Sequence, residues 1–227
     1  MQAEFDQHAE TYEAQHRASI GASGEEPIYF ARYKIAALQR LLPQAPSSIL
    51  DFGSGVGNST PHFRAFFPQA SLTLADPSER SLQMSRRRNG GDEAHVQIVD
   101  DRLPLADGSF DLVFSACVFH HIAQAQHDLW LRETLRATRR GGALVIFEHN
   151  PLNPLTVRAV NACPFDADAV LIRAGVLAAR IEAAGWRNPR VRYQVFFPNA
   201  LRALRPLEPY LGRVPLGAQY AVVARKP

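Results

Sequence analysis

The sequence is poor in several things, and each scarcity removes a class of protein. It has two cysteines, Cys117 and Cys163. They lack metal-ligand spacing and Cys117 lies in an apolar run, so reduced thiols in a cytoplasmic protein are expected rather than a disulfide framework. No apolar run approaches the ~20 residues of a membrane span. The polar, acidic stretch MQAEFDQHAETYEAQHR predicts neither a secretory signal nor a transit peptide. Internal repeats and low-complexity tracts are missing. No stretch interleaves basic residues with aromatics, which disfavours nucleic acid as a partner. Lysine is nearly absent, with Lys34 and Lys226 alone, so arginine carries almost all the positive charge.

That charge is unevenly spread. Residues 1–150 carry 14 Lys+Arg against 18 Asp+Glu, whereas residues 151–227 carry 11 against 4. Arginine written onto solvated surfaces accounts for this; the sharper account is a basic lobe facing an anionic substrate or a membrane surface. The 227 residues suit one domain with a single core. Its expected parts are an N-terminal helical lid (1–45), a cofactor-binding core (46–150) and a substrate-side part (151–227). The last contains a proline-broken insertion over 198–217, PNALRALRPLEPYLGRVPLG, of the length that lids and binding loops have. Its mixture of leucine and arginine also suits peripheral contact with a membrane.

From Ser47 onward strand and helix patterns alternate. Strands are expected at ILDFG, SLTLAD, HVQIVD, FDLVFSA, ALVIFEH, RVRYQVFF and QYAVVAR. Helices are expected over Asn58–Phe67, in SERSLQMSRRR, in QHDLWLRETLRATRR up to Gly141–Gly142, and in AGVLAARIEAAG. Such alternation predicts an α/β fold with a parallel sheet and helices on both faces. The last two strands have no crossover helix between them, so they are expected to pair antiparallel at the sheet edge.

The first strand runs into SSILDFGSGVGNST. In an open parallel sheet, ligands bind at the carboxyl ends of the strands, where glycines let the backbone approach a cofactor. The dinucleotide fingerprint G-x-G-x-x-G fails here, because the glycines are Gly53, Gly55 and Gly57 and the next residue is Asn58. Asp51 precedes them, where it would repel a pyrophosphate, so a nicotinamide oxidoreductase is disfavoured. An acid there suits a cofactor with a cationic amino group. Asp76 ends the second strand, placed to accept from two ribose hydroxyls, and Asp100–Asp101 ends the third, suited to an adenine amino group. S-adenosylmethionine has the ammonium, the ribose and the adenine, and no phosphate.

With these residues in view, the sequence resembles the class I S-adenosylmethionine-dependent methyltransferases. ILDFGSGVGN is similar to their first motif, LADPS to the second, DDRLPLADGSFDLVFSACVFHHI to the third and fourth, and LRATRRGGALVIFEHN to the fifth. The resemblance spans roughly residues 45–150, with IEAAGW as a sixth point and FDQHAETYE resembling the cofactor-covering helix. It implies a Rossmann-like seven-stranded, mostly parallel sheet whose last strand is antiparallel. It also implies that Asp51, Gly53, Gly55 and Gly57 line the methionine end, that Asp76 binds the ribose, and that Ala116 offers its backbone. Ser54, Asn58 and Pro77 count among the cofactor contacts, and Tyr12 as a lid tyrosine placed to cover the sulfonium. The stretch from Asp100 to Leu103 is about one residue shorter than the family pattern, so either Asp100 or Asp101 meets the adenine. The reaction product would be S-adenosylhomocysteine.

Methyl transfer to oxygen needs positioning and a base. His120 and His121 follow the fourth strand, near the reacting methyl, and histidine is poised for proton transfer near neutral pH. His121 is the first choice, because the family's comparable histidine directly precedes Leu or Ile, as His121 precedes Ile122. His149 leaves the fifth strand with Glu148 and Asn150 into the same cleft. His120, His121, Glu148 and His149 have donors for a mixed metal site, but nothing in their local spacing demands one, and no metal is expected. Tyr12, Tyr29 and Tyr33 lie where a lid over the cofactor would be, with ordinary half-buried helix packing the favoured reading for any one of them. The acceptor expected is a small molecule with a hydroxyl, such as a sugar or secondary metabolite, with anionic, glycan-linked or lipid-linked versions open. The alternatives are methylation of carbon or nitrogen, or a protein of this fold that binds the cofactor without methylating. No N-P-P-Y-like segment follows the fourth strand, which disfavours methylation of amide or base nitrogens.

Overall fold

A computed structural model describes residues 20–227, and Tyr12 lies outside the described residues. Seven strands form one sheet in the order β3-β2-β1-β4-β5-β7-β6. They are β1 (Ser48–Phe52), β2 (Ser71–Asp76), β3 (Ala94–Gln97), β4 (Phe110–Ala116), β5 (Thr138–His149), β6 (Arg187–Gln194) and β7 (Gln219–Arg225). Strands β1 to β5 pair parallel, and β7 is antiparallel to both its neighbours. The strand order reverses between β1 and β4, so a crevice opens at their carboxyl ends, where ligands of such sheets bind.

Two-residue alternation makes both faces apolar. On one face Ile49, Leu112, Phe114, Val145 and Phe147 pack with Ile35, Leu38 and Phe63. On the other, Leu50, Val113, Leu144 and Ile146 pack with Trp130, Leu131, Leu177 and Trp186. The first set is covered by α1 (Pro27–Leu41) and α2 (Thr60–Phe66), the second by α4 (His127–Ala137) and α6 (Ala174–Ala183). Between them in sequence are α3 (Glu79–Asn89) and α5 (Pro154–Asn161). Pro27 opens α1, where its missing N–H costs nothing. Ser78 caps α3 by accepting from the Ser81 N–H at 3.0 Å, and Asn153 caps α5 by accepting from Leu155 and Thr156.

Several elements differ from the sequence expectation: β6 ends at Gln194 rather than running through Phe197, and Pro154–Asn161 forms a helix that was not expected. The helix read through Thr138–Arg140 stops at Ala137, because Thr138 already pairs with Phe110 and β5 begins there, with a register shift between Phe110 and Leu112. Strand β3 ends at Gln97, and the chain turns through Asp100 and Asp101, both at positive φ (54° and 53°). The last two strands do pair antiparallel, but only β6 is at the edge. The more apolar QYAVVAR takes the inner place, buried along most of its length, while β6 stays half-exposed. Residues 198–217 are not a plain loop: Asn199–Leu207 forms a kinked 3-10 helix that leads into the short α7 (Glu208–Leu211). No described helix is long and apolar enough to cross a membrane.

Candidate active site

The crevice holds a cavity of about 370 Å³. One end is built by the loop after β1. Gly55 sits at φ +52° with nothing within 4 Å of where a Cβ would be, so the bare backbone faces open space. Its N–H donates to Asp76 Oδ2 at 2.8 Å, and Ser78 N–H donates to Asp76 Oδ1 at 2.9 Å. A carboxylate oxygen has two lone pairs, so it can accept from a ligand hydroxyl beside a backbone N–H. Asp51 is 3% exposed and its Oδ2 has no hydrogen-bond partner. Burial, then the neighbouring Asp76 carboxylate, push the Asp51 carboxyl up to about 8 against the opposing charge of Lys34. An orphaned buried carboxylate oxygen is costly alone and is satisfied by a cation.

The other end is built from three segments. His120 and His121 lie on the 3-10 turn Phe119–His121 just beyond β4. Glu148, fully buried near the end of β5, accepts from Val118 N–H at 3.1 Å, Phe119 N–H at 2.7 Å and His120 Nδ1 at 2.6 Å. The turn Pro164–Asp166 brings Asp166 against both rings, and Val170 N–H bonds the His120 carbonyl at 2.9 Å. Asp166 Oδ1 lies 3.2 Å from His121 Nε2 and 3.6 Å from His120 Nε2. Burial works against a charged His120, but Glu148 and Asp166 outweigh it and push the ring up to about 10. The same contacts draw Glu148 and Asp166 below the usual carboxylate range despite burial.

The structure brings most of the expected residues together. Asp51, Gly53, Ser54, Gly55, Asn58, Asp76, Pro77, Asp100, Asp101, Ala116, His120, His121 and His149 all line the cavity. Gly57 does not. A Cβ there would lie 2.2 Å from Ser85 Oγ and 2.5 Å from Asn89 Nδ2, so this glycine lets the loop pack closely on α3. His120 is placed at the site with its Nδ1 bonded to Glu148 and with Glu148 and Asp166 favouring its charged form. Asn150 clamps the chain before β7, donating to the Pro215 and Gly217 carbonyls. Tyr33 donates to Glu208 Oε2 at 2.6 Å and Tyr29 lies under Arg205 at 4.6 Å, so both tie α1 to the 198–217 segment instead of lining the cavity.

Among the lining residues the sequence did not point to, Asp166, Lys34 and Cys117 bear on the chemistry. Asp166, in CPFDADA, carries no local pattern that would single it out. Lys34 had a faint signal as one of two lysines, and it is buried, with Nζ 3.4 Å from Cys117 Sγ. Burial would raise the Cys117 thiol, but the charges of His149 and Lys34 win and bring it down to about 7.

Residues 50–146 match the family described as "Methyltransferase domain". The demethylmenaquinone methyltransferase of Mycolicibacterium vanbaalenii is 34% identical over 184 residues, covering 71% of this chain and 78% of that protein. The chain belongs to the class I S-adenosylmethionine-dependent methyltransferases. A further relative, the malonyl-[acyl-carrier protein] O-methyltransferase of Methylococcus capsulatus, is 34% identical over 112 residues, 48% of this chain and 40% of that one. The chain spans about half the length of other curated members of the family that it matches. Among solved structures, a methyltransferase from Thermotoga maritima described as a possible histamine N-methyltransferase superposes over 100% of both chains. Its TM-score is 0.71 at 18% identity, which shows the shared fold.

The residues fit this family's cofactor. The partnerless Asp51 Oδ2 matches the methionine ammonium, the open backbone at Gly55 gives the ligand room, and Asp76 offers acceptors to a ribose.

Proposed function

We propose that this protein methylates a hydroxyl oxygen of a small molecule, and that His121 takes the acceptor's proton. S-adenosylmethionine, when bound by Asp51, the Gly53–Gly55 backbone, Asp76 and one of Asp100 or Asp101, supplies an electrophilic methyl. The chain's part is to hold both partners in line and to remove a proton from the attacking oxygen. The observation that carries this reading is His121 in the cavity wall with Nε2 3.2 Å from Asp166 Oδ1. A carboxylate fixes the ring and stabilises the imidazolium that forms when the other nitrogen accepts the proton. His120 and Glu148 hold the turn that carries His121, and so act by positioning. Ile20, Pro27, Phe30, Ala159 and Val160 line the same cavity, which suits an acceptor with an apolar body and one reactive hydroxyl.

The relatives' names point to two acceptor classes: an acyl group presented on a carrier, whose name specifies oxygen, and a demethylmenaquinone-like ring, which would take the methyl on carbon and so favours the competing outcome. The test is production of S-adenosylhomocysteine with a panel of phenols, quinols, sugars and acyl thioesters, with the methyl position read by carbon-13 NMR. A new O-methyl signal that depends on His121 supports the proposal. A new C-methyl or N-methyl signal, or turnover undiminished in His121→Ala, overturns it.

A further inference from the structure

We propose that His120, His121 and Asp166 form a binding site for one divalent transition-metal ion in the acceptor half of the cavity. Their ligand atoms all lie within 4.8 Å of one another. A tetrahedral ion with ligands at about 2.0–2.2 Å sets its donors about 3.3–3.6 Å apart. The two Nε2 atoms lie 3.2 and 3.6 Å from Asp166 Oδ1. The longer separation exceeds a hydrogen bond but matches two donors that share an ion. His120 Nε2 and Asp166 Oδ1 are buried, and the contacts of this oxygen with both rings are ion pairs that do not reach hydrogen-bond geometry, a spacing that an ion between the three donors would satisfy.

The surroundings have the form that metal sites need. Glu148 bonds His120 Nδ1 at 2.6 Å, which fixes the ring so that Nε2 points at Asp166. A carboxylate behind a ligating histidine orients the ring and raises its basicity. Glu148 is itself locked by the Val118 and Phe119 N–H groups. Two imidazoles and one carboxylate suit zinc, cobalt, iron or manganese rather than the all-oxygen sets of calcium and magnesium. All three residues line the cavity, so an ion there keeps open positions toward the acceptor. The sequence hid the site because the third donor comes from a distant turn with no ligand spacing to the HH pair.

The consequence for chemistry rests on the proposed function, although the site itself does not. With an ion bound, His121 Nε2 is a ligand, and an acceptor hydroxyl that coordinates the ion loses its proton to solvent more readily. His121 is then the base of the metal-free protein only.

The test uses the full chain after removal of metals with a chelator. Zn2+ binding is read by competition with a chromophoric chelator, and Co2+ by its visible d–d absorption. We expect one equivalent of Zn2+ and a Co2+ spectrum of low-coordinate form. Asp166→Asn should weaken Zn2+ binding about a hundredfold or more, and Glu148→Gln about 10–100-fold as an orienting residue. His95→Ala, outside the cavity, should change nothing. The wild-type Co2+ spectrum keeps the test valid if a variant misfolds, and far-ultraviolet circular dichroism identifies such a variant. Absence of stoichiometric Zn2+ and Co2+ binding by the wild type, or binding indifferent to Asp166→Asn in a folded protein, overturns the site. Metal binding without methyl transfer leaves the site standing and overturns the proposed function; methyl transfer by a protein that binds no metal does the reverse.

Discussion

The two ends of the cavity are built by different means. The glycine-loop end is made from one short stretch, Asp51 to Asn58, plus the acid that ends the neighbouring strand, and its contacts are mostly backbone. The histidine end is assembled from side chains on three distant segments, the turn after β4, the end of β5 and the turn Pro164–Asp166. A shared cofactor needs the same backbone cradle in every family member, whereas an acceptor is met by whatever side chains the later segments bring. Binding and turnover should therefore be separable by mutation.

The largest expected effect is at the histidine end. His121→Ala should lower turnover by about 10²–10⁴-fold, the usual worth of a positioned base, and leave cofactor affinity unchanged; steady-state kinetics beside calorimetry reads both. At the other end, Asp76→Ala should weaken S-adenosylhomocysteine roughly a hundredfold, since charge-assisted hydrogen bonds contribute about 1.5–3 kcal/mol each. The loss should appear in Kd rather than in the rate at saturating cofactor.

A pH series sharpens the comparison further. With the Asp51 carboxyl held up to about 8, the free protein is protonated there at pH 6. A ligand ammonium needs the ionised form, so binding releases a proton below pH 8. Affinity should rise toward pH 8, by at most about tenfold per unit. Asp51→Asn should flatten that profile. The smallest effect is outside both ends: Tyr33→Phe, which removes the bond to Glu208, should lower stability by about 1.5 kcal/mol as read by urea denaturation.

Legibility in the sequence followed the same division. The placement of Asp51, Gly53, Gly55 and Asp76 in the cavity wall could be read because it depends on neighbours along the chain and on the strand-to-turn pattern. Gly57 is not among the residues lining the cavity, because it packs closely on α3, and in sequence a glycine needed for packing looks like one needed for a ligand. The central strands were legible from their apolar runs, but the order of β6 and β7 was not, because their relative burial decides it. His120 and His121 were visible as a pair. Which of them is locked and which can react depends on Glu148 and Asp166, and only the fold brings those carboxylates together with the rings. Tyr29 and Tyr33 pack as half-buried helix residues, but the sequence did not reveal their partners Arg205 and Glu208, which lie in the distant 198–217 segment.

The most direct test of this division is calorimetry with S-adenosylhomocysteine on the wild type, His121→Ala and Asp76→Ala side by side. The account predicts wild-type affinity for His121→Ala and a loss of roughly a hundredfold for Asp76→Ala. Equal losses in both variants, or a loss confined to His121→Ala, would contradict it.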